Sequence, residues 1–156
     1  KKMKKIWVMF ICAGNICRSP MAEAVFRHMV AKKGLEDRFE IQSSGTGHWH
    51  VGKLPHFGTR KILAEHSIQT GDKRAQLLKI EDFNDFDYLI AMDTENVEDI
   101  RYLFGKNVKR LLEFAEEKTK LNVPDPYYEN NFEEVYELVT SGCAGLLNFI
   151  LDKEFS

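Results

Sequence analysis

The nine residues CAGNICRSP, 12–20, leave this chain little freedom. They follow KIWVMFI (5–11), which is continuously apolar after its lysine, and they precede a run of helix formers that ends at Gly34. An apolar run of that length reads as a strand buried on both faces, as in a parallel sheet covered by helices. Pro20 suits a first helical turn and Gly34 suits a stop, so 20–33 reads as a helix. A strand feeding a helix through so short a loop puts residues 12–18 at the carboxyl end of a strand, where ligands bind in open α/β sheets.

The rest of the chain repeats the alternation. RFEIQS (38–43) reads as a second strand, followed by a glycine-bearing loop over 44–53 and a helix over 55–66. A short helix over 79–85 precedes a third strand, FDYLIAM (86–92). A helix over 94–104 closes on Gly105, VKRLLEF (108–114) reads as a fourth strand, and 115–131 reads as a long loop. The last helix carries Phe132, Val135, Val139, Cys143, Leu146, Leu147 and Ile150 at the spacing of one apolar face, with Tyr136 on the same stripe. Asn131 and Glu134 have the spacing of a capping box. The expected fold is α/β: three layers, a four-stranded parallel sheet with helices on both faces, and a ligand-binding loop after the first strand. Residues 1–156 are expected to form a single domain.

The loop has a chemistry of its own. Gly14 and Asn15 tolerate positive φ, as a curled loop requires. Curling turns amide N–H groups toward one point, and the start of the following helix adds its positive end there. Arg18 closes over the same point with a planar pair of donors suited to an oxyanion. Cys12 sits beneath it, where cations and helix ends favour a thiolate, and Ser19 can donate to the sulfur. A thiolate under an anion cradle is a nucleophile aimed at a tetrahedral oxyanion, which makes phosphoryl transfer the natural reaction.

Other classes fit less well. The loop lacks the Gly-Lys-Ser/Thr ending of a nucleotide-binding loop. Cys12 and Cys17 have no second pair to complete a zinc site, and the five histidines show no metal spacing. No cofactor is expected. The net charge of −2 suggests neither nucleic acid nor membrane as partner. Three cysteines do not make a disulfide framework, so a reducing, cytoplasmic compartment is expected. The basic-then-apolar start imitates a signal peptide only until Cys12 and Asn15 interrupt it.

CAGNICRSP, together with DPYY at 125–128, resembles the low-molecular-weight protein tyrosine phosphatases over about residues 5–152. The resemblance implies hydrolysis of phosphotyrosine on proteins through a phosphocysteine. Cys12 would be the nucleophile, Arg18 the phosphate ligand, and Asp125 the acid and then the base. Ala13, Gly14, Asn15, Ile16, Cys17 and Ser19 would line the phosphate, and Trp49, Tyr127 and Tyr128 would rim the cleft. Asn15 would be held left-handed by side-chain bonds, with Ser43 as one partner. Near position 72 many members carry a histidine; Asp72 stands here and is expected as an acceptor for Asn15. Ala13 replaces a larger apolar residue. By the same resemblance Cys12 and Cys17 would join on oxidation, and Cys143 is left to the core. Partners would be phosphotyrosine-containing proteins, with the chain a monomer or weak homodimer. A phosphoarginine phosphatase of this fold carries threonine where Ile16 stands, an arsenate reductase needs relay cysteines that 18–142 lacks, and the intact set Cys12, Arg18, Ser19 and Asp125 argues against a silent phosphate-binding module.

Overall fold

The computed structural model describes residues 4–155, so the ends of the expected domain, 1–3 and 156, lie outside the described residues. Four parallel strands form the sheet: β1 (Ile6–Cys12), β2 (Phe39–Gly45), β3 (Tyr88–Ala91) and β4 (Lys109–Arg110), in the spatial order β2-β1-β3-β4. The chain leaves β1 to one side and later returns to its other side, so the switch point lies at the carboxyl end of β1.

Side-chain parity in β1 divides the molecule. Ile6, Val8, Phe10 and Cys12 point into the larger core, which packs against α1 (Arg18–Lys32) and α6 (Phe132–Phe155). Met9 and Ile11 point to the smaller core with Leu78, Phe86, Ala91 and Ile100. That second face is covered by α3 (Asp82–Asp85) and α4 (Thr94–Phe104). α2 (Phe57–Glu65) packs beside α1 and α6. Because alternate residues face alternate sides, Cys12 is directed to the α1 side by the register that buries Phe10 against Phe26. Phe26 in turn meets Phe39 edge to face, joining β1, α1 and β2.

The expected elements are present with three differences. The fourth strand is only two residues long. Glu113 accepts the Arg110 N–H at 2.8 Å, and the chain turns over Leu111–Glu113. The turn buries both Leu111 and Leu112, which a continued strand would send to opposite faces. The expected loop over 115–131 contains one helical turn, α5 (Pro126–Glu129), capped by Asp125. The expected capping box at α6 does not form: Asn131 spends its amide on the Glu134 carboxylate at 3.2 Å, and its side-chain oxygen is buried without a partner. By contrast Asp93 and Asn96 make a full capping box on α4, which ends at Gly105 with φ of 68°. Cys143 is fully buried, and Tyr136 stands at the core's edge, stacked on His66 at 4.1 Å.

α6 approaches the chain closely at Gly145, where a β-carbon would meet the Phe114 carbonyl oxygen at 1.8 Å. Alanine there would gain about 1 kcal/mol of helix propensity. The obstacle is backbone and cannot rotate aside, and overpacking of that kind costs about 1–3 kcal/mol. Gly145→Ala is therefore expected to lower stability in a urea melt, whereas an exposed helical glycine would gain from the same change.

Candidate active site

The curl after β1 is built by sending its carbonyls outward. Cys12 C=O accepts from Thr46 N–H at 3.0 Å, and Ala13 C=O accepts from Gly47 N–H at 2.9 Å. Ile16 C=O accepts from His56 N–H at 2.7 Å, and Cys17 C=O accepts from the Thr59 hydroxyl at 3.0 Å. With those carbonyls committed to neighbouring segments, the amide hydrogens of the curl are left for its concave side. α1 begins at Arg18, so its first-turn amides face the same basin. Asn15 has φ of 57° and supplies the left-handed step. Gly14 is needed for space instead, since a β-carbon would lie 2.8 Å from the His50 ring. Gly45 is tighter: its β-carbon would meet the Ala13 carbonyl oxygen at 2.7 Å.

Inside the curl the polar groups form one chain. The Cys12 sulfur lies 2.9 Å from the Ser19 hydroxyl. Asn15 Nδ2 donates to Ser19 Oγ at 2.8 Å and to Ser43 Oγ at 3.0 Å, and Asn15 Oδ1 accepts from the Gln76 N–H at 2.9 Å. Ser43 donates to Glu23 Oε1 at 2.6 Å. This leaves nothing for Asp72. Both amide hydrogens of Asn15 are taken by hydroxyls, and Asp72 lies exposed on the turn that Gly71 makes at φ of 60°. The expected Asn15–Asp72 contact is absent; the neighbouring Lys73 turns inward, and its Nζ donates to the Ser43 carbonyl at 2.7 Å.

Arg18 is buried, and its Nη1 is fully used: it donates to Asp93 Oδ2 at 2.5 Å and to the Val123 carbonyl at 2.9 Å. Nη2 faces Asp125 Oδ2 at 3.7 Å. Burial works against the guanidinium charge, but the Cys12, Asp93 and Asp125 charges outweigh it and hold the arginine above its ordinary pKa. Asp125 caps α5 through the Tyr127 N–H at 3.0 Å, which fixes where its free oxygen points. The segment bearing it is tied down by the Val123 N–H to the Met92 carbonyl and by Asn122, which accepts from Thr94 and Arg110.

The cleft above Cys12 has a volume of about 600 Å³. Ala13, Gly14, Ile16, Cys17, Arg18, Asp93 and Asp125 line it with Cys12. Trp49 lines it too, with its ring over Gly47. So do Tyr127 and Tyr128, 47% and 83% exposed, with rings edge to face at 5.1 Å. His50 lies beneath Tyr127, and burial lowers its pKa below the ordinary histidine value. The cleft therefore gathers every expected phosphate-loop and rim residue except Asn15 and Ser19, which stand behind the floor with Ser43; Asp72 is outside.

Asp93, Glu23, Lys73 and Gln76 were not expected in the site. Asp93 was findable: it follows the third strand as Cys12 ends the first, at the same edge of the sheet. The other three enter from α1 and an irregular loop, with no motif to mark them.

A buried thiol and a buried arginine on one loop whose carbonyls are committed to neighbouring segments, sharing a cleft with a carboxyl group that faces the arginine, define the class of cysteine-based phosphoryl-transfer sites. Comparison with known proteins narrows it. Residues 7–155 match the family described as low molecular weight phosphotyrosine protein phosphatase. The chain is 49% identical over 146 residues to the low molecular weight protein-tyrosine-phosphatase YfkJ of Bacillus subtilis, covering 91% of this chain and 94% of that protein. It is 47% identical over 150 residues to PtpA of Staphylococcus saprophyticus, covering 94% of each. The crystal structure of YfkJ superimposes with a TM-score of 0.95 over 99% of both chains, and that of a Drosophila arginine phosphatase with 0.83 at 30% identity, over 91% of this chain and 96% of that one. The chain belongs to the low molecular weight phosphotyrosine protein phosphatase family.

The two loop cysteines differ in reactivity. Burial first, then the neighbouring Cys12 and Asp125 charges, push the Cys17 thiol up to about 12, with Arg18 opposing. At pH 8 Cys17 is therefore held as the thiol. Cys143 is raised further still by burial alone. Brief iodoacetamide treatment at pH 8 is expected to label Cys12 and leave Cys17 and Cys143 free, read by peptide mass spectrometry; equal labelling of Cys17 would contradict this order.

Proposed function

We propose that the chain hydrolyses phosphotyrosine monoesters on proteins through a phosphocysteine. The reading is carried by one observation: Cys12, Arg18 and Asp125 line a single cleft, the first two on a loop whose carbonyls are bonded to neighbouring segments. The Cys12 sulfur attacks phosphorus in line with the tyrosyl oxygen. The P–O bond breaks as S–P forms, and Asp125 delivers its proton to the departing oxygen. Arg18 and the loop amides hold the three equatorial oxygens. Water then attacks the phosphocysteine, Asp125 takes its proton, and phosphate leaves with the thiolate restored.

The rim supports an aryl substrate. Trp49 and the Tyr127–Tyr128 pair give aromatic surface to the same cleft that holds the loop, which suits a phenyl ring whose phosphate reaches the loop. Phosphoserine is too short to span that depth. The partners are phosphotyrosine-bearing proteins. Residues 1–156 act as one catalytic domain, a monomer or weak homodimer, in the reducing cytoplasm where Cys12 stays a free thiol. Among the described residues no helix is long and apolar enough to cross a membrane.

Cys12→Ser is expected to lower turnover of phosphotyrosine peptides by at least about 10³-fold while inorganic phosphate still binds. Asp125→Ala is expected to lose about 10²–10⁴-fold on phenyl phosphate and much less on p-nitrophenyl phosphate, whose leaving group needs no proton. A uniform loss would reject the acid role. Phosphotyrosine, phosphoserine and phosphoarginine peptides assayed together test the substrate class; faster release from phosphoarginine would overturn the aryl reading.

Oxidation should take a protective route. Peroxide converts the Cys12 thiolate to a sulfenic acid and is itself reduced to hydroxide. Cys17 then displaces water from that sulfur to give a disulfide. Cys17 starts as a thiol partly because Cys12 is charged, and the neutral sulfenic acid removes that repulsion. Mild peroxide is expected to yield a Cys12–Cys17 peptide two daltons lighter than the dithiol. Accumulation of trioxidised Cys12 would exclude the route.

A further inference from the structure

Five polar side chains lie in series behind the Cys12 sulfur, and valence alone sets the direction of every hydrogen between them. An amide nitrogen only donates, so both hydroxyls bonded to Asn15 Nδ2 accept from it. Ser43 therefore has its own hydrogen free for Glu23 Oε1 at 2.6 Å. Ser19, having accepted from Asn15, has one hydrogen left. Against a Cys12 thiolate, which can only accept, that hydrogen goes to the sulfur at 2.9 Å and not to the Ser44 carbonyl at 3.5 Å. The series thus ends in a donor aimed at the sulfur, and it begins at a carboxylate.

That carboxylate is buried, and its two oxygens have different cations. Arg27 holds Oε2 at 2.8 Å from a half-exposed position. Lys73 sits 3.6 Å from Oε1, the oxygen that receives the Ser43 hydrogen, and only 10% of its side chain is exposed. Lys73 also donates to the Ser43 carbonyl at 2.7 Å, so it grips the same residue from both ends. Burial holds the Lys73 pKa below the ordinary lysine value; Glu23 opposes that shift, Arg27 adds to it, and the Cys12 charge opposes it least. No exposed lysine on a mobile stem has such surroundings. Around the sulfur itself the charged groups are Arg18, Asp93 and Asp125, with the Cys17 thiol, His50 and Glu95 on the cleft wall.

We infer that Lys73 is a positioning residue for this reaction: through Glu23, Ser43, Asn15 and Ser19 it keeps a hydrogen-bond donor on the Cys12 thiolate. The inference rests on the phosphatase reading for its consequence, but not for its test. If Lys73 loses its charge, the hydrogens keep their directions, but the buried Glu23 carboxylate is left with Arg27 alone and is no longer held over Ser43; the Ser43–Asn15–Ser19 spacing that places a donor on the sulfur then loosens. The thiolate is then less favoured, so its titration midpoint rises.

The measurement is iodoacetate capture of Cys12 against pH, followed by peptide mass, which needs no phosphatase activity. Lys73→Gln keeps a donor for the Ser43 carbonyl and removes the charge. It is expected to raise the midpoint by about half to one pH unit and to lower kcat/KM for an aryl phosphate about 3–10-fold on the acid side, with little change above the midpoint. Lys73→Arg should stay near wild type, and Lys61→Met, which removes an exposed ammonium elsewhere, should leave both curves in place. In a Ser43→Ala background the Lys73→Gln shift should fall below half, because the series is already cut. An equal shift in both backgrounds, or none in either, overturns the inference. Should Lys73→Gln not fold, Ser43→Ala alone decides: the midpoint must rise there too, and an unmoved one overturns it. Absence of phosphotyrosine hydrolysis by wild type would instead reject the reaction proposed above, with the capture curves still deciding the role of Lys73.

Discussion

The buried Arg18 guanidinium is the constraint on which the rest of the site depends. A cation removed from water is tolerated only when its hydrogens are met and its charge is balanced. Its balance comes from three directions: Asp93 after the third strand, the Val123 carbonyl and Asp125 on the segment before α5, and the sulfur of its own loop. The first two of these segments also meet directly, through Val123 N–H to the Met92 carbonyl and Thr94 to Asn122. The arginine adds the β1 loop to that junction and so fastens the carboxyl ends of β1 and β3 to the segment that carries Asp125. Loss of a partner such as Asp93 would leave an unbalanced buried charge, a change that in proteins costs about 3–5 kcal/mol.

The sheet supplies what Arg18 alone cannot. Parallel order β2-β1-β3-β4 sets the β1 carboxyl end between two neighbours that diverge into different connections. Thr46 and Gly47, just past β2, take the carbonyls of Cys12 and Ala13. Gly45 lets that strand end lie against the loop, at a distance where any side chain would collide with the Ala13 oxygen. The anion cradle is thus a continuation of strand pairing beyond the sheet, with the ladder's acceptors satisfied on the outside and its donors left for the inside.

The repeating parts of this architecture could be read from residue patterns. The apolar run 5–11 and the stripe from Phe132 to Ile150 are driven by burial, which leaves a periodic trace. The cysteine–arginine loop was legible because its chemistry is local in sequence. What escaped was set by tertiary contacts. The fourth strand stops after Arg110 because Glu113 folds back on its N–H, a side-chain effect that overrides an apolar run. Asn131 and Glu134 have the spacing of a cap but bond to each other instead. Asp72 and Lys73 differ by one position, and only the turn at Gly71 decides which faces Ser43.

The valences of Arg18 also bear on where a phosphate and Asp125 meet. Nη1 is spent on Asp93 and Val123, so the arginine meets an incoming phosphate through its remaining edge, and Nη2 on that edge is the group facing Asp125 at 3.7 Å. That separation is an ion pair and not a hydrogen bond, so Nη2 keeps its hydrogens for the phosphate while its charge still holds the carboxyl group beside the cleft. One guanidinium edge thereby sets the spacing between a bound anion and Asp125, and the Asp93 and Val123 bonds that fix the guanidinium fix that spacing too.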